Sequence, residues 1–425
     1  MTMKSRHFKF TKTFNVFRVV KVAFAIALIY LLTPILFDNF FPSLNFQKTD
    51  GSNDIVDKYY EKRKNWLTSN LGTMLFKNKP IQANQDNRVF SVLIWKYWGW
   101  LKKRHLEGHT ENDPLDECSV KNCMFTGDDT SINEVNAVLV HIQHGIFPNV
   151  TKRNPWQIWV FLSDESPFHT FSMAKRKPSF SNLANIFNWS MTYRSDADVP
   201  VPYGRTVPLP MPSTRSLSGL IPHWKDKKIN VLVNALISNC AVRKRMDYIR
   251  ELQRHIKVDV YGKCSDDNQE SCPGSFKTDC PVINNYYFYL AFENSECRQY
   301  FTEKIFYNAY AKGAIPIVMG PPVSDCEKIL PPQSFLHVDN FDSPEHLATE
   351  ILRISESEEK IQMYHKWRQH FEIVNEHGYF GTKSMHLCRL CEALNYNDGK
   401  TKVYDEDSLK LYLDPKLLCS NIIHL

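Results

Sequence analysis

The second half of the chain alternates short apolar runs with polar segments of helical period. Residues 229–238 (INVLVNALIS) are almost entirely apolar, which is typical of a buried strand. The segment VRKRMDYIRELQRHI follows, and KVDVYG then gives a second short strand pattern. The apolar positions of the middle segment lie near helical spacing: Met246, Ile249, Leu252 and Ile256. Strand, helix and strand in succession predict a parallel α/β sheet.

The first half of the chain carries similar strand patterns. Apolar runs occur within residues 88–100, 135–142 and 157–166, and the last two end in polar loops. A proline-rich passage, residues 199–213 (VPVPYGRTVPLPMPS), separates the two halves. Such a passage can be neither a helix nor a central strand. The pattern therefore predicts two α/β modules, with this passage as a connector.

A polar stretch lies between two further strand patterns in the second module. Residues 286–292 (YYFYLAF) and 314–320 (AIPIVMG) are the two predicted strands. Between them, Thr302 can cap a helix that starts at Glu303, and Gly313 stands where that helix should end. The polar residues thus occupy the carboxyl end of a strand and the first turn of a helix.

Open α/β sheets bind their ligands at the carboxyl ends of the strands. The amide groups at a helix start suit a phosphate, and Lys304 adds a full positive charge in the same turn. The stretch therefore predicts a cradle for a nucleotide phosphate. The alternative, that Glu303 and Lys304 are simply solvated charges of a first turn, stays open.

Charge along the chain is uneven. The net charge is +6, and the first 21 residues hold six basic residues and no acidic one. The rest of the chain is balanced, which excludes the basic folded surface of a nucleic-acid-binding protein. Hydrophobic content of 43% is enough for well-formed cores.

Residues 22–37 (VAFAIALIYLLTPILF) carry no charge and, with Val19 and Val20, reach the length of a membrane helix. A cleaved signal peptide would end in small residues, whereas this run is followed by the bulky FDNFFPSLNF. We therefore favour an uncleaved anchor over a cleaved signal. The basic residues 1–21 place the N-terminus in the cytosol, and the polar residues 38–88 are interpreted as a stem.

Cysteines and glycosylation sequons agree with an oxidising lumen. Asn149-Val-Thr and Asn188-Trp-Ser are sequons. The eleven cysteines form local groups that favour short-loop disulfides: Cys118 with Cys123, Cys264 with Cys272 and Cys280, and Cys388 with Cys391. Zinc is the alternative, although only Cys388 and Cys391 have knuckle spacing. An odd count leaves at least one thiol unpaired, and the sequence does not pair Cys240, Cys264, Cys272, Cys280, Cys297, Cys326 and Cys419.

Several blocks, which follow one another along the chain in the family's order, resemble the α1,3-fucosyltransferases that use GDP-fucose. The most specific is FYLAFENS…YFTEK…NAYAKGAIPIVMGPP, at residues 288–322. DESPFH, NWSMTYRSDADVPVPYG, SNCAVRKRMDYIREL, VDVYGKC, FLHVDNFDSPEHLA and CRLC are similar to further blocks of that family, glycosyltransferase family 10. The resemblance covers residues 90–395.

The resemblance implies a GT-B fold, in which two Rossmann-like domains face a cleft. The implied division is an acceptor-side domain at 89–222, a GDP-fucose-binding domain at 223–395 and a C-terminal extension at 396–425. It further implies a type II Golgi membrane enzyme that transfers L-fucose, with inversion, to GlcNAc of protein-linked glycans. The extension is expected either to pack back on the first domain or to be peripheral.

The resemblance also assigns roles to individual residues. Glu165 in DESP matches the catalytic base; its alternative is an exposed loop carboxylate. Arg245 matches the donor-binding arginine, with Arg243 as the fallback. The other positions matched to donor binding are Asn294, Tyr300, Glu303 and Lys304.

The sequence also contains one pattern that is typical of a metal site. Asp196 and Asp198 form a DxD string, which chelates Mn²⁺ in GT-A enzymes, but this string lies in the acceptor half. We interpret it as structural or as an acceptor-side hydrogen-bonding group. His141 and His144 lack the spacing of ligands on a helix. We therefore expect no obligatory metal, while a divalent cation such as Mn²⁺ is allowed as a stimulant.

For the acceptor, the resemblance favours the N-glycan core, with a Lewis-type acceptor as the alternative. SNC with its basic neighbours and CRLC look similar to core-type enzymes, which act on the innermost GlcNAc of N-glycans. Lewis-type enzymes, which act on N-acetyllactosamine, share most other blocks. A catalytically silent carbohydrate-binding paralogue and a metal-dependent GT-A enzyme are further alternatives, and the retained Glu165, Arg245, Glu303 and Lys304 argue against the first.

Overall fold

The computed structural model describes residues 50–81, 88–96, 98–106, 108–149, 153–228, 230, 232–265, 272, 278–398 and 402–420. The chain divides into a unit Met1–Asp54, of which only residues 50–54 are described, and a unit Ile55–Leu425, which holds all the packing discussed below. The expected tail at 1–21 and anchor at 22–37 lie outside the described residues. No helix in the described part of the chain is long and apolar enough to cross a membrane.

The first sheet of the second unit is parallel and has six strands. These are β1 (Phe90–Ile94), β2 (Cys123–Thr126), β3 (Ala137–His141), β4 (Ile158–Ser163), β5 (Trp189–Thr192) and β6 (Val199–Pro200). Their spatial order is β2-β1-β3-β4-β5-β6. Nearly every residue of β3 and β4 is buried, because helices and loops cover both faces of the sheet.

Two further strands form a separate antiparallel pair, β7 (Gly204–Pro208) and β13 (Phe371–Asn375). The second sheet is parallel and has five strands, β8 (Val233–Leu236), β9 (Val258–Tyr261), β10 (Phe288–Phe292), β11 (Ile315–Met319) and β12 (Leu336–His337). Their order is β12-β11-β10-β8-β9. The prediction of parallel α/β sheets is confirmed.

Twelve α-helices occur in the described residues. They are α1 (Asp50–Glu61), α2 (Asn70–Lys77), α3 (Trp98–Leu106), α4 (Phe180–Leu183), α5 (Leu217–Leu220), α6 (Arg243–Leu252), α7 (Val323–Ile329), α8 (Pro344–Ser355), α9 (Glu358–Met363), α10 (His386–Tyr396), α11 (Glu406–Leu413) and α12 (Pro415–Leu418). Helix α6 buries Met246, Ile249 and Leu252 against the second sheet, as the apolar spacing predicts.

Two segments pack differently from their expected roles. The region interpreted as a stem folds from residue 55 onwards onto the body, where Tyr59, Trp66 and Phe76 are buried in a core with residues of the second sheet. The proline-rich passage is more than a connector, because it supplies edge strand β6 and strand β7. Proline is tolerated there since these strands are not central.

The chain also returns to the first sheet near its end. Leu387, Leu390 and Ala393 of α10 pack on one face of that sheet. Leu409 and Leu413 of α11 pack on its other face. The C-terminal extension therefore packs on the first module, which was one of its two expected positions, and α10 joins it there although 223–395 was expected to form the second domain.

Disulfides join segments far apart in sequence. Cys118 bonds to Cys388 and Cys123 to Cys391, so the expected short-loop pairs at these four positions are wrong. Folding brings the CRLC turn of α10 beside the start of β2, where the two bridges lie in a small apolar core. The remaining pairs are Cys240–Cys264, Cys272–Cys280 and Cys297–Cys419, and Cys326 is a buried free thiol.

Candidate active site

A cleft of about 250 Å³ opens at the carboxyl ends of β8 and β10. This is the edge at which parallel sheets bind ligands. The cleft is lined by Leu236, Ile237, Ser238, Asn239, Arg245, Cys272, Thr278, Cys280, Asn294, Glu303, Lys304, Asn308, Tyr379 and Phe380. Four of the five residues predicted to bind a donor are among them, and Tyr300 is the exception.

The polar stretch between β10 and β11 borders this cleft. We call residues 293–302 the polar loop. After it, the chain becomes helical at Glu303, continues as a π-helix over Lys304–Ala309 and ends at Gly313, which has φ 69°. The predicted start and end of the helix are confirmed, but its π-helical conformation was not predicted. Single π turns are common at functional sites.

Glu293 occupies the start of this helical segment. Its carboxylate accepts hydrogen bonds from the Thr302 amide and hydroxyl, each at 2.9 Å. Burial raises the pKa of Glu293, and the nearby Lys304 opposes that rise. The expected cradle of free amides is therefore partly filled by a carboxylate of the protein itself, for which no sequence pattern gave a signal.

Lys304 lies in the cleft between two carboxylates. Its Nζ is 3.1 Å from Glu293 Oε2 and 3.2 Å from Glu303 Oε1. Burial alone would lower the pKa of Lys304, but the two carboxylates raise it well above its usual value. The lysine is thus held as a cation, and its positive charge is already partly offset before any anion enters.

Arg245 is a second cation in the cleft wall. It is 2% exposed, and Nη1 and Nη2 donate to the carbonyl groups of Phe292 and Asn239. Its Nε has no hydrogen-bond partner within the described residues. Arg243, the fallback, is exposed and does not line the cleft. Asn294, which does line it, accepts a hydrogen bond from the Ser295 hydroxyl.

Glu165 lies just beyond the carboxyl end of β4 and is partly buried. The Tyr300 hydroxyl donates to Glu165 Oε2 at 3.1 Å. Burial and the adjacent charge of Asp164 raise the pKa of Glu165 to about 7, against the opposing effects of Tyr300 and Lys304. A carboxylate with this pKa is suited to take up a proton near neutral pH.

Tyr300 connects the two halves of the site. It is buried, and its ring packs against Tyr193 and Tyr203 at centroid distances of 5.1 and 6.4 Å. Tyr300 does not line the cleft; its hydroxyl contacts Glu165, and its position is close enough to Glu303 and Arg245 for electrostatic interaction with both.

Asp164 was not identified from the sequence, yet it carries a buried charge next to Glu165. Arg104 Nη1 lies 2.9 Å from its Oδ2, and His377 Nε2 lies 3.1 Å from the same oxygen. Burial would raise the pKa of Asp164, but Arg104 and the neighbouring histidines hold it well below its usual range. The pair of carboxylates Asp164 and Glu165 therefore differs strongly in proton affinity, a pattern typical of catalytic sites.

Neither group of candidate metal ligands in the described residues suits a cation. Asp164, His377 and His386 converge, but Arg104 already pairs with the carboxylate and would repel a metal ion. Cys118 and Cys388 converge with Glu392, but both sulfurs are consumed by their disulfide. His141 is buried and lies 3.9 Å from Asp164 Oδ1, as a core histidine facing that charge.

The DxD string is tied into hydrogen bonds outside the cleft. Asp196 accepts two hydrogen bonds from the guanidinium of Arg194, at 2.8 and 2.6 Å. Asp198 accepts from Ser190 and from the Tyr404 hydroxyl. Both carboxylates therefore have structural partners, which agrees with the structural interpretation of this string.

Tyr379 and Phe380 form an aromatic edge of the cleft that was also missed. Phe380 has φ 53° and stacks on Tyr307 at 4.8 Å. Gly378 and Gly381 on either side also have positive φ, so the loop turns sharply enough to direct two aromatic residues to one place. The sequence signal that could have revealed it is GYFG, two aromatic residues between two glycines.

The two sequon asparagines differ in accessibility. Asn149 is exposed. Asn188 is 5% exposed, its Nδ2 donates to the Lys402 carbonyl at 2.9 Å, and its Oδ1 accepts from the Trp159 amide. A glycan on Asn188 would have to displace these hydrogen bonds.

Comparison with known proteins assigns a family. The model "Fucosyltransferase, N-terminal" matches residues 87–204, and "Glycosyltransferase family 10 (fucosyltransferase) C-term" matches residues 224–408. Alpha-(1,3)-fucosyltransferase 7 of Bos taurus is 34% identical, with 72% of this chain and 82% of the relative covered. Alpha-(1,3)-fucosyltransferase 4 of Mus musculus is 35% identical, with 76% and 79% covered. 4-galactosyl-N-acetylglucosaminide 3-alpha-L-fucosyltransferase 9 of Bos taurus is 32% identical, with 74% and 82% covered. These matches span both parallel sheets and the cleft, and the chain belongs to the glycosyltransferase family 10 fucosyltransferases.

Proposed function

We propose that the chain transfers L-fucose from GDP-β-L-fucose in α1,3 linkage to GlcNAc of protein-linked glycans, with inversion at the anomeric carbon. The names of the relatives, several of them alpha-(1,3)-fucosyltransferases, support the reaction and its linkage. We further propose that the two parallel sheets are the Rossmann-like halves of a GT-B enzyme, with the donor in the cleft at the second sheet.

Glu165 does not itself line the cleft, but its carboxylate interacts electrostatically with Lys304 and Glu303, which do, and this position together with its pKa carries the proposal. As the base, its carboxylate removes the proton of the acceptor hydroxyl while that oxygen bonds to C1 of fucose. The bond from C1 to the phosphate oxygen breaks on the opposite face, and GDP leaves with the electron pair. A pKa of about 7 lets Glu165 accept this proton at neutral pH.

Cations in the cleft would offset the charge that develops on the departing diphosphate. Lys304 and Arg245 line the cleft together, on the first turns of two different helical segments. Fixed charges aimed at a leaving group act without reorganisation at the moment of reaction. Glu303 and Asn294, which also line the cleft, are assigned to the hydroxyl groups of the donor.

The test combines labelled GDP-fucose with Glu165→Gln. We expect kcat to fall by about 10²- to 10⁴-fold while GDP binding, measured by calorimetry, is retained. Glu134→Gln, a change at an exposed carboxylate, is the matched control and should keep normal turnover. Normal turnover in Glu165→Gln would reject the base, and absence of GDP binding in the wild type would reject the function.

The acceptor is proposed to be galactosyl-N-acetylglucosamine or the GlcNAc of the N-glycan core. The name of the fucosyltransferase 9 relative favours the galactosylated unit. The core-type expectation rested partly on CRLC, but Cys388 and Cys391 are buried in disulfides away from the cleft. The two acceptors can be distinguished by offering the enzyme N-acetyllactosamine and a paucimannose N-glycan in separate assays. A Lewis-type enzyme should fucosylate only the first, and a core-type enzyme only the second.

We also propose a type II Golgi membrane protein with a lumenal body. The charge-free run at 22–37 behind a basic tail supports an anchor, and five disulfides within the described residues suit an oxidising lumen. Protease protection of the body in intact Golgi vesicles is the expected result, and digestion without detergent would contradict it.

No obligatory metal is proposed, with Mn²⁺ as at most a stimulant. The cleft carries Lys304 and Arg245 where a metal-dependent enzyme would hold an ion against the diphosphate. Activity should survive a chelator, and its loss with recovery on adding Mn²⁺ would contradict this proposal.

A further inference from the structure

The polar loop is tied to the C-terminal segment by covalent and hydrogen bonds. Cys297 forms a disulfide with Cys419. On either side of it, the Arg298 amide donates to the Leu418 carbonyl and the Ser420 amide donates to the Glu296 carbonyl, both at 2.9 Å. These contacts form a short antiparallel bridge.

We call residues 402–420 the C-terminal strap. Its other part is fixed to the first sheet by an apolar core in which Tyr404, Leu409 and Leu413 are buried with Trp159 and Phe161. The burial of these apolar side chains holds this part of the strap against the first sheet.

Hydrogen bonds reinforce the same attachment. The Tyr412 hydroxyl donates to the Asp196 carbonyl at 3.0 Å, and Arg194 donates to the Leu411 carbonyl at 2.6 Å. The Tyr404 hydroxyl donates to Asp198 at 2.7 Å. The strap thus reaches from the DxD string on the first module to the polar loop on the second.

We propose that the strap positions the polar loop for donor binding, so that Cys419 and Leu413 are positioning residues of the proposed fucosyl transfer. The loop holds Glu293 and Asn294 at one end and Tyr300 and Thr302 at the other. Cys297 lies between them, and a displacement there would move both the Asn294 side of the cleft and the hydroxyl bonded to Glu165.

Ion pairs and hydrogen bonds on either side of Cys297 also hold the loop, since Lys244 pairs with Glu296 and Arg298 with Asp325. Gln299, with φ 57°, donates its amide to Asp325 Oδ2 and accepts from the Ser195 amide, each at 2.9 Å. Ser295 is hydrogen-bonded to Ser166. Without the disulfide, the segment between these two contacts would depend on ion pairs of the exposed Lys244 and Arg298 side chains, on a few hydrogen bonds and on one residue in an uncommon backbone conformation.

The strap extends beyond the part of the chain that the family model matches. That match ends at residue 408, before Leu413 and before Cys419. The positioning role is therefore inferred for this chain from its own contacts and not from the family.

The test compares two disulfide deletions. Cys297→Ser with Cys419→Ser should raise the Kd for GDP and the KM for GDP-fucose by about threefold to tenfold, because the loop must then be ordered on binding. The matched control is Cys118→Ser with Cys388→Ser, which removes a disulfide from the small apolar core beside β2 of the first sheet. The control should lower the melting temperature and leave the Kd for GDP unchanged.

A second variant covers the case in which the first does not fold. Leu413→Ala keeps the disulfide but loosens the strap on the first sheet, and should raise the Kd for GDP in the same direction. An unchanged Kd in the folded variants, or an equal rise in the control, would overturn the positioning role alone. Absence of GDP binding in the wild type would overturn the proposed function, and the strap proposal with it.

Discussion

At the scale of single residues, the chemistry depends on neighbouring groups that lower the pKa of Asp164 and raise that of Glu165. Arg104 and histidines keep Asp164 charged, and that charge, together with burial, raises the pKa of Glu165 to about 7. A base works only when deprotonated, so kcat/KM of the wild type should rise with pH and level off above about 7. A pH profile that is flat from 5.5 to 8.5 would contradict this assignment.

Tyr300→Phe should move that profile to higher pH. The Tyr300 hydroxyl donates to the Glu165 carboxylate and so favours the charged form, which lowers the pKa. Removing it should raise the apparent pKa by roughly half a unit to one unit. Tyr193→Phe, which alters a ring packed on Tyr300 without a hydrogen bond to Glu165, is the control. An unshifted midpoint in Tyr300→Phe would show that the bond does not tune the base.

Several cleft residues were predictable because their motifs are local. Arg245, Asn294, Glu303 and Lys304 stand in blocks that resemble family motifs, and all four line the cleft. Asp164 was missed because its partners Arg104 and His377 lie 60 and more residues away along the chain. In the sequence alone, a buried aspartate cannot be told from an exposed one, because only the fold brings Arg104 next to Asp164.

At the scale of elements, apolar periodicity located the central strands well, since β3, β4, β10 and β11 lie within the predicted runs. It failed for the region read as a stem. Tyr59, Trp66 and Phe76 are widely spaced among polar residues, and only their packing in one core shows that they belong to the body.

Gly204 lies in β7 where this strand pairs with β13, and the structure predicts that a larger residue does not fit there. A Cβ on Gly204 would lie 2.5 Å from the Phe306 ring and 2.7 Å from the Val374 carbonyl. Gly204→Ala should therefore lower the free energy of unfolding by about 1–3 kcal/mol, measured by denaturant titration.

The control for this substitution is Gly99→Ala in helix α3, away from the β7–β13 pair. A Cβ there meets no atom within 4 Å. Because Gly99 is the second residue of its helix, Gly99→Ala should leave the free energy of unfolding unchanged or raise it by less than about 1 kcal/mol. If Gly204→Ala were as stable as Gly99→Ala, the close approach of β7 to Phe306 would be wrong.

At the scale of the whole molecule, the long-range disulfides could not be predicted from the sequence. Cys118 to Cys388 and Cys123 to Cys391 span 270 and 268 residues. Local clustering of cysteines favoured short loops, and only the return of α10 to the first sheet brings the true partners together. The same return explains why the module boundary could not be read from motif order alone.

Glycosylation tests the compartment and the fold of the whole chain together. If the body is lumenal, Asn149 should carry a glycan because it is exposed, whereas Asn188 should not, since its amide is buried and bonded to Lys402. Protein from a glycosylating host should lose the mass of one glycan on enzymatic deglycosylation. Asn149→Gln should abolish that shift. Asn188→Gln should leave the shift unchanged but lower the melting temperature, because the longer side chain cannot keep both hydrogen bonds. Two glycans on folded, active protein would contradict the burial of Asn188, and none would contradict a lumenal body.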